Sequence, residues 1–323
     1  MTERRYSPEG TRIGSAENTL YTATLHGLER AMAQGRILEG IALMCDCTSM
    51  RLTVELGGAV GVIEREEAAY SFDGSETRDI AIITRVGKPV CFKVIGIEGG
   101  GGGRPLVRLS RRAAQKECME QSVLRLTPGD IIPAKVTHLE PFGAFVDIGC
   151  GIVSLLTVDC ISVSRISHPS ERFRPGEQIM AAVKSIDRTS GRVYMTHREL
   201  LGTWEENAAA FAPTQTVSGI VRSVEPYGVF VELTPNLAGL AETRDDVAPG
   251  ACCAVYIKSI LPEKMKIKLV IVDAHSEMHP ARLRYFVDTA PGAHISCWRY
   301  SPTCCRKRIE TCFDPGDAAG ANA

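Results

Sequence analysis

The 323-residue sequence predicts a mainly β protein built from three tandem five-stranded barrels of the OB type, joined by short helices. Segments 128–148 and 213–233 align without a gap, and each alternates apolar and polar residues around a glycine. This pattern is typical of two strands joined by a tight bend. Each segment is followed by another strand, a polar turn and a further strand. Short antiparallel strands in this number close into a small barrel, which removes free sheet edges.

The composition is that of an ordinary globular protein, with 44% hydrophobic and 23% charged residues. With 37 basic and 38 acidic residues the net charge is -1, so a nucleic-acid site must depend on local side chains and not on a basic chain. No apolar run approaches the roughly 18 residues of a membrane helix, and no apolar leader follows the basic start. We therefore expect a cytoplasmic protein with no membrane partner.

Helical segments and a tail are predicted outside the barrels. In the N-terminal extension, residues 1–35, the apolar spacing predicts a helix over about 17–34. Linkers rich in Ala, Glu and Leu are predicted to be helical over residues 113–125 and 199–212. The C-terminal tail, residues 276–323, contains no copy of the repeat.

The first barrel is predicted over residues 36–112. It has the strand–turn–strand order of the later repeats, but Met50 and Thr53 occupy the positions that are aromatic in them. The five glycines from Gly99 to Gly103 predict a flexible hairpin tip. They do not predict a phosphate-binding loop, because such a loop ends in Gly-Lys-Ser or Gly-Lys-Thr. We expect this degenerate barrel to serve as a docking or spacer unit that contributes little to nucleic-acid affinity.

The second barrel is predicted over residues 126–198 and the third over residues 213–275. Both contain the motif Glu-Pro-aromatic-Gly-aliphatic-Phe-Val. A phenylalanine that alternates with aliphatic residues can point into a barrel core, whereas a glycine beside an aromatic side chain leaves room for a base to approach. The aromatic positions recur 85 residues apart: Phe142 and Phe145 in the second barrel, Tyr227 and Phe230 in the third.

The second repeat resembles the S1 RNA-binding domain, the OB-type repeat of the S1-family ribosomal proteins of the small subunit. Five pieces carry the resemblance: Pro-Phe-Gly-Ala-Phe-Val-Asp, Phe-x-Pro-Gly-Glu, Lys-Ser-Ile-Asp, Gly-Arg-Val and Gly-Thr-Trp. The third repeat matches well in its first half, and the first repeat matches only in outline. The resemblance implies exposed aromatic side chains that stack on bases and basic side chains that follow the phosphates.

The resemblance, together with the basic groups beside it, gives a set of candidate RNA-binding residues. They are Phe142, Phe145, Asp187 and Arg192 in the second barrel, and Tyr227, Phe230, Lys266 and Lys268 in the third. The sequence departs from the family at Leu261, which replaces an acidic residue, and at Thr157 and Glu242, which replace a histidine. These departures lower the affinity that we expect of each barrel.

We therefore expect a non-enzymatic protein that binds single-stranded RNA, including mRNA, in translation. It would act as a ribosomal protein S1 or an S1-like factor on the small ribosomal subunit, with no cofactor and no metal. One alternative is an S1-domain regulator of RNA decay or transcription. Another is a fragment of an S1-bearing nuclease, although residues 276–323 leave no room for a catalytic domain.

Two further motifs carry weaker signals. His197-Arg198-Glu199 matches half of a zinc-deaminase motif but lacks the Pro-Cys-x-x-Cys that completes it, so we expect a structural histidine. A C-terminal thiol cluster contains neither a Cys-x-x-Cys pair nor a histidine at zinc-knuckle spacing, so zinc binding, disulfide pairing and free thiols all remain open. The cluster comprises Cys297, Cys304, Cys305 and Cys312.

Overall fold

Three closed five-stranded barrels follow one another in the computed structural model, which describes residues 6–99, 104–244, 246–275 and 283–314. Around each barrel the strands neighbour one another in the order first, second, third, fifth, fourth, and the fourth strand pairs with the first. The third and fifth strands are parallel, while the other neighbours are antiparallel. Five strands closed in this way form an OB-type barrel, so the predicted fold class is confirmed.

In each barrel the centre of the second strand alternates between buried and more exposed residues, as the sequence pattern predicts. The first barrel consists of β1 (Leu38–Asp46), β2 (Arg51–Glu55), β3 (Val60–Ile63), β4 (Pro89–Glu98) and β5 (Leu106–Ser110). The second consists of β6 (Ile131–Glu140), β7 (Gly143–Asp147), β8 (Val153–Thr157), β9 (Gln178–Asp187) and β10 (Arg192–Thr196). The third consists of β11 (Thr216–Glu225), β12 (Gly228–Thr234), β13 (Leu237–Ala241), β14 (Cys252–Leu261) and β15 (Lys266–His275).

Five α-helices accompany the barrels in the described part of the chain. They are α1 (Ala16–Thr22), α2 (Leu25–Ala33), α3 (Asp79–Ile83), α4 (Arg111–Gln121) and α5 (Trp204–Ala208). Short 3-10 helices lie at Arg65–Glu67, Val123–Arg125, Val158–Cys160, Pro169–Glu171, Arg198–Leu201 and Pro262–Lys264. None of the helices described here is long and apolar enough to cross a bilayer.

Two predicted helices are interrupted, and local capping explains both breaks. The single helix predicted over 17–34 is wrong, because the extended backbone of Thr24 separates α1 from α2 and its hydroxyl accepts the N–H of Gly27 at 3.0 Å. The linker predicted over 199–212 is a 3-10 turn followed by the short α5. Gly202, at φ 83°, ends the turn, and Thr203 caps the helix that follows.

The N-terminal extension and α4 join the first barrel to the second. The Glu9 carboxylate accepts two hydrogen bonds from the Arg111 guanidinium, at 2.7 and 3.0 Å, and the Glu9 N–H donates to Asp147 at 2.7 Å. Burial raises the pKa of Glu9, but the Arg111 charge, the hydrogen bonds from Arg111 and Cys91 and the Arg85 charge together outweigh burial and hold the pKa below its ordinary value. Gly151, at φ +75°, lies against this pair, and a β-carbon there would sit 2.1 Å from an Arg111 nitrogen.

A buried ion-pair network joins the second barrel to the third. The Glu232 carboxylate of β12 accepts hydrogen bonds from Arg172 at 2.5 Å and from Arg222 at 2.7 and 3.0 Å. Arg222 also donates to Glu171, which lies beside Arg172 in the second barrel. The two barrels are therefore held together by four charged side chains that lie mostly out of solvent.

The C-terminal segment packs against both the second and the third barrel. Ile131 N–H donates to Ala293 O at 2.9 Å, and the Tyr300 hydroxyl donates to Asn236 O at 2.6 Å. A hairpin follows, formed by β16 (Cys297–Arg299) and β17 (Glu310–Cys312). A disulfide joins Cys297 to Cys312, whereas Cys304 and Cys305 are free thiols. For two of the four thiols the structure thus shows the disulfide alternative.

The predicted glycine tip falls largely outside the described residues. Gly99 directly follows β4, and residues 100–103 belong to the part of the chain that the structure does not describe. Beyond them, β5 pairs with β4 from Leu106 onward.

Candidate nucleic-acid interface

The β6–β7 hairpin presents two aromatic rings on the outside of the second barrel. Phe142 lies in the hairpin turn with 54% of its surface exposed. Phe145 is half-buried on the outer face, because its neighbours Ala144 and Val146 are fully buried in the core. The two ring centroids are 5.9 Å apart and the ring planes meet at 87°. Phe145 is therefore not a core residue.

The β11–β12 hairpin repeats this arrangement in the third barrel. Tyr227 is 68% exposed in the turn, and Phe230 is half-buried between the core residues Val229 and Val231. The ring centroids are 6.2 Å apart, with an angle of 88° between the ring planes. Two aromatic pairs that the sequence placed at equivalent positions thus adopt equivalent geometry.

A row of register-matched side chains crosses the outer face of each barrel over its first, second, third and fifth strands. In the second barrel the row is His138, Phe145, Leu155 and Tyr194. In the third it is Ser223, Phe230, Leu240 and Lys268. In the first it is Met44, Thr53, Val62 and Arg108. The row of the second barrel is rich in rings, the row of the third barrel combines a ring with an ammonium group, and the row of the first barrel has a cation but no ring.

Sequence reasoning missed the aromatic contribution of His138. Its exposed imidazole is stacked on Phe145, with centroids 6.4 Å apart and an interplanar angle of 24°. The hairpin register places these two residues opposite each other across a bulge that follows Val136. The same register, extended outward from the turn, would have identified His138 from the sequence.

The predicted acidic and basic positions lie at the turn between the fourth and fifth strands. Asp187 pairs in register with Arg192 in the second barrel, as Leu261 does with Lys266 in the third. Asp187 accepts hydrogen bonds from the Ser190 hydroxyl at 2.5 Å and from two backbone N–H groups, which lower its pKa. Asp187 therefore shapes the turn, and its contact with RNA stays a prediction.

The basic side chains that the sequence singled out lie at the surface of these faces. Arg192, Lys266 and Lys268 are all exposed. On β15, Lys266 and Lys268 alternate with the core residues Ile267 and Leu269, so both ammonium groups share the outer face. This arrangement places cations on the same outer faces as Phe145 and Phe230.

The glycine of the aromatic motif has a different physical reason from the one predicted. A β-carbon on Gly143 would lie 2.5 Å from Leu156 O on the neighbouring strand, and one on Gly228 would lie 2.5 Å from Ala241 O. The glycine thus allows close approach of the third strand and does not open space for a base.

The first barrel lacks this aromatic surface, as predicted. Met50 takes the position of Phe142, but it is only 8% exposed and packs into the barrel core. Its backbone adopts a positive φ of 56°. Thr53, on β2, occupies the position that Phe145 takes on β7.

His197 is a structural residue, as the sequence predicts. Its imidazole is fully buried, shares a hydrogen bond with Ile161 O at 3.0 Å, and packs against the rings of Phe173 and Tyr285. Burial lowers its pKa to about 4. Within the described ranges, no cluster of three or more His, Cys, Asp or Glu side chains is arranged to hold a metal ion.

Comparison with known proteins identifies the domain to which the second barrel belongs. Residues 125–198 match the family model described as S1 RNA binding domain. The matched segment contains β6 to β10 and therefore the pair Phe142 and Phe145. The resemblance predicted from the sequence is confirmed.

Several curated proteins are similar over longer stretches. The small ribosomal subunit protein bS1 of Rhizobium meliloti is 26% identical over 303 residues, covering 86% of this chain and 51% of that protein. The bS1 protein of Staphylococcus aureus strain COL is 34% identical over 144 residues, covering 43% of this chain and 37% of the relative. This chain thus spans about half or less of the length of these relatives.

Among solved structures, a multidomain protein with nucleic acid binding domains from Streptococcus pneumoniae aligns over 76% of this chain and 75% of its own. The sequence identity is 16% and the TM-score is 0.25, a value too low to indicate a shared arrangement of domains.

Proposed function

We propose that this S1-family chain binds single-stranded RNA in translation, as a non-enzymatic partner of the small ribosomal subunit in the cytoplasm. One observation carries the proposal: the β6–β7 and β11–β12 hairpins each expose a pair of aromatic rings at the same position. Aromatic platforms beside cations are how OB-type barrels hold single strands, because every base offers a face for stacking. The similarity to bS1 proteins supports the ribosomal context.

Each hairpin offers a base two differently oriented surfaces. Phe142 and Tyr227 project from the turns, whereas Phe145 and Phe230 lie on the sheet, nearly perpendicular to their partners. A base stacked on the sheet ring would meet the edge of the turn ring. Arg192 in the second barrel, and Lys266 and Lys268 in the third, would then neutralise phosphates, while Asp187 holds the turn that carries Arg192.

The two faces belong to barrels that are held together by the Arg172–Glu232–Arg222 network. A strand long enough to reach both faces would therefore meet the second face at a high effective concentration, without the ordering cost of a flexible linker. We expect RNA long enough to reach both faces to bind with higher affinity than RNA that reaches only one face.

The salt dependence of RNA binding is expected to be shallow. Each phosphate neutralised on a single strand contributes about 0.7 to the slope of log affinity against log salt concentration. Two or three contacts per barrel would give a slope of about two per barrel, or about four for the second and third barrels together. Fluorescence anisotropy of an unstructured oligonucleotide, titrated at several salt concentrations, measures this slope. A slope above about six would show that phosphate contacts, and not stacking, dominate.

Association with the ribosome tests the cellular context of the proposal. The full chain is expected to co-sediment with small ribosomal subunits at low salt. A chain in which Phe142 and Phe145 are both alanine serves as the matched variant with weakened RNA binding. If both proteins co-sediment equally, protein contacts anchor the chain to the subunit. If the wild-type chain binds RNA but does not co-sediment with subunits, the ribosomal part of the proposal is wrong and a role in RNA decay or transcription is favoured.

A further inference from the structure

A groove of about 470 Å³ runs between the first and second barrels. Its first-barrel side is the inserted segment, residues 64–88, which lies between β3 and β4. The other lining residues belong mainly to α4 and, in the second barrel, to β7, β8 and the β9–β10 turn. Two of its lining residues, Phe145 and Arg192, already belong to the candidate RNA-binding face. The groove is therefore continuous with that face.

The inserted segment places an aromatic ring at the β9–β10 turn of the second barrel. Phe72 is 36% exposed, and its ring packs on Gly191, where a β-carbon would lie 2.6 Å from the ring. Gly191 has a φ of +68° and directly precedes Arg192. The loop between the fourth and fifth strands is one of the elements with which OB folds bind oligonucleotides. A ring from the first barrel thus stands beside a nucleic-acid-binding loop of the second.

Hydrogen bonds hold the segment that carries Phe72 in place. The Tyr70 N–H donates to Gln115 at 2.9 Å, and Arg111 donates to Ala68 O at 3.2 Å, so α4 fixes the segment from one side. The Asp73 carboxylate accepts the N–H of Ser75 at 3.0 Å and closes the turn that follows Phe72. A ring positioned in advance loses little conformational freedom when a ligand stacks on it.

The charge of the groove favours a polyanion. Among the described lining residues the charged side chains are Arg85, Arg111 and Arg192, with no carboxylate. Arg85 and Arg111 both face Glu9, at 3.7 and 2.7 Å, so two cations share that carboxylate. Asp147 is buried, and burial together with the Glu9 charge raises its pKa to about 7. Two carboxylates lie beside the groove without lining it: Asp73 accepts the N–H of Ser75, and Asp187 is held by hydrogen bonds within its own turn.

We propose that this groove extends the RNA site of the second barrel, with one base stacked on Phe72 and the adjoining phosphate beside Arg192. The inference rests on the proposed function, because it requires that the Phe142–Phe145 face binds single-stranded RNA. It also revises the expectation that residues 36–112 contribute little to affinity. The first barrel contributes through its inserted segment and not through the sheet face that is homologous to the other two.

The test uses the full chain and two lengths of unstructured oligouridine RNA, of about 4 and about 12 nucleotides, within the range that one OB fold occupies. The variants are Phe72→Ala, Phe72→Leu and the control Ile80→Ala, which truncates an exposed residue of the same inserted segment. We expect both Phe72 variants to bind the longer RNA about fivefold or more weakly than wild type. Binding of the shorter RNA, and all binding by the Ile80 variant, are expected to match wild type.

The two Phe72 variants separate stacking from packing. Leucine preserves an apolar contact with Gly191 but removes the ring, so a leucine variant that binds like wild type would overturn the stacking role. Unchanged binding of the longer RNA by a folded alanine variant, or an equal loss at both lengths, would overturn the extension of the site. If wild-type protein binds neither RNA, the proposed function itself fails, which is a different result from any of these.

Discussion

Replacing Phe142, Phe145, Tyr227 and Phe230 together by alanine is expected to weaken binding of unstructured single-stranded RNA by about a hundredfold or more. Each stacked base contributes about 1–3 kcal/mol, and the two hairpins offer a stacking surface each. The loss should fall on affinity and not on folding, because all four rings lie on the outside of their barrels. Anisotropy titrations at fixed salt measure the affinity, and circular dichroism checks the fold.

A matched control is available in the first barrel. Met44 is 56% exposed and occupies the position that His138 takes in the second barrel, so Met44→Ala removes an exposed side chain from a ringless face. Its RNA affinity should equal that of wild type. A folded fourfold variant that binds RNA as tightly as wild type would remove the basis of the proposed function.

The local features of the site follow from sequence because a β-strand has a period of two residues. Once the hairpin turn is located at Pro141 and Phe142, the alternation makes Ala144 and Val146 core residues and turns Phe145 outward. The same reasoning recovers Tyr227 and Phe230, and it shows that Met50 and Thr53 cannot form an aromatic pair. Register and burial in a hairpin are thus properties of a short stretch of chain.

Features that depend on contact between barrels could not be predicted in this way. Phe72 lies in a loop of the first repeat, and only its packing on Gly191, more than one hundred residues later, gives it a place beside the RNA face. The C-terminal segment has no repeat pattern, yet Tyr300 and Ala293 bond to the third and second barrels. No periodicity encodes such pairings, because each depends on how finished barrels fit together.

The joining of the second and third barrels shows the same limit and has a large energetic consequence. Nothing in the sequence around Arg172 or Glu232 marks them as partners, since they lie in different repeats. In the structure Glu232 is 2% exposed and is the shared acceptor of two arginines. Burial lowers the pKa of Arg172, whereas the charges of Glu232 and Glu171 act to raise it.

Glu232→Ala is expected to reduce the free energy of unfolding by about 3–5 kcal/mol, because it leaves the buried Arg172 guanidinium without its ion-pair partner and next to Arg222, which keeps only Glu171. The matched control is Glu64→Ala, which breaks the partly exposed Arg51–Glu64 pair at 3.0 Å and should cost about 0–1 kcal/mol. Urea denaturation, followed by tryptophan fluorescence, compares the two variants. The Glu232 variant should also lose more affinity for long RNA than for short RNA, since only long RNA uses the fixed placement of both faces. If Glu232→Ala is as stable as Glu64→Ala and binds long RNA normally, the network does not set the arrangement of the two barrels.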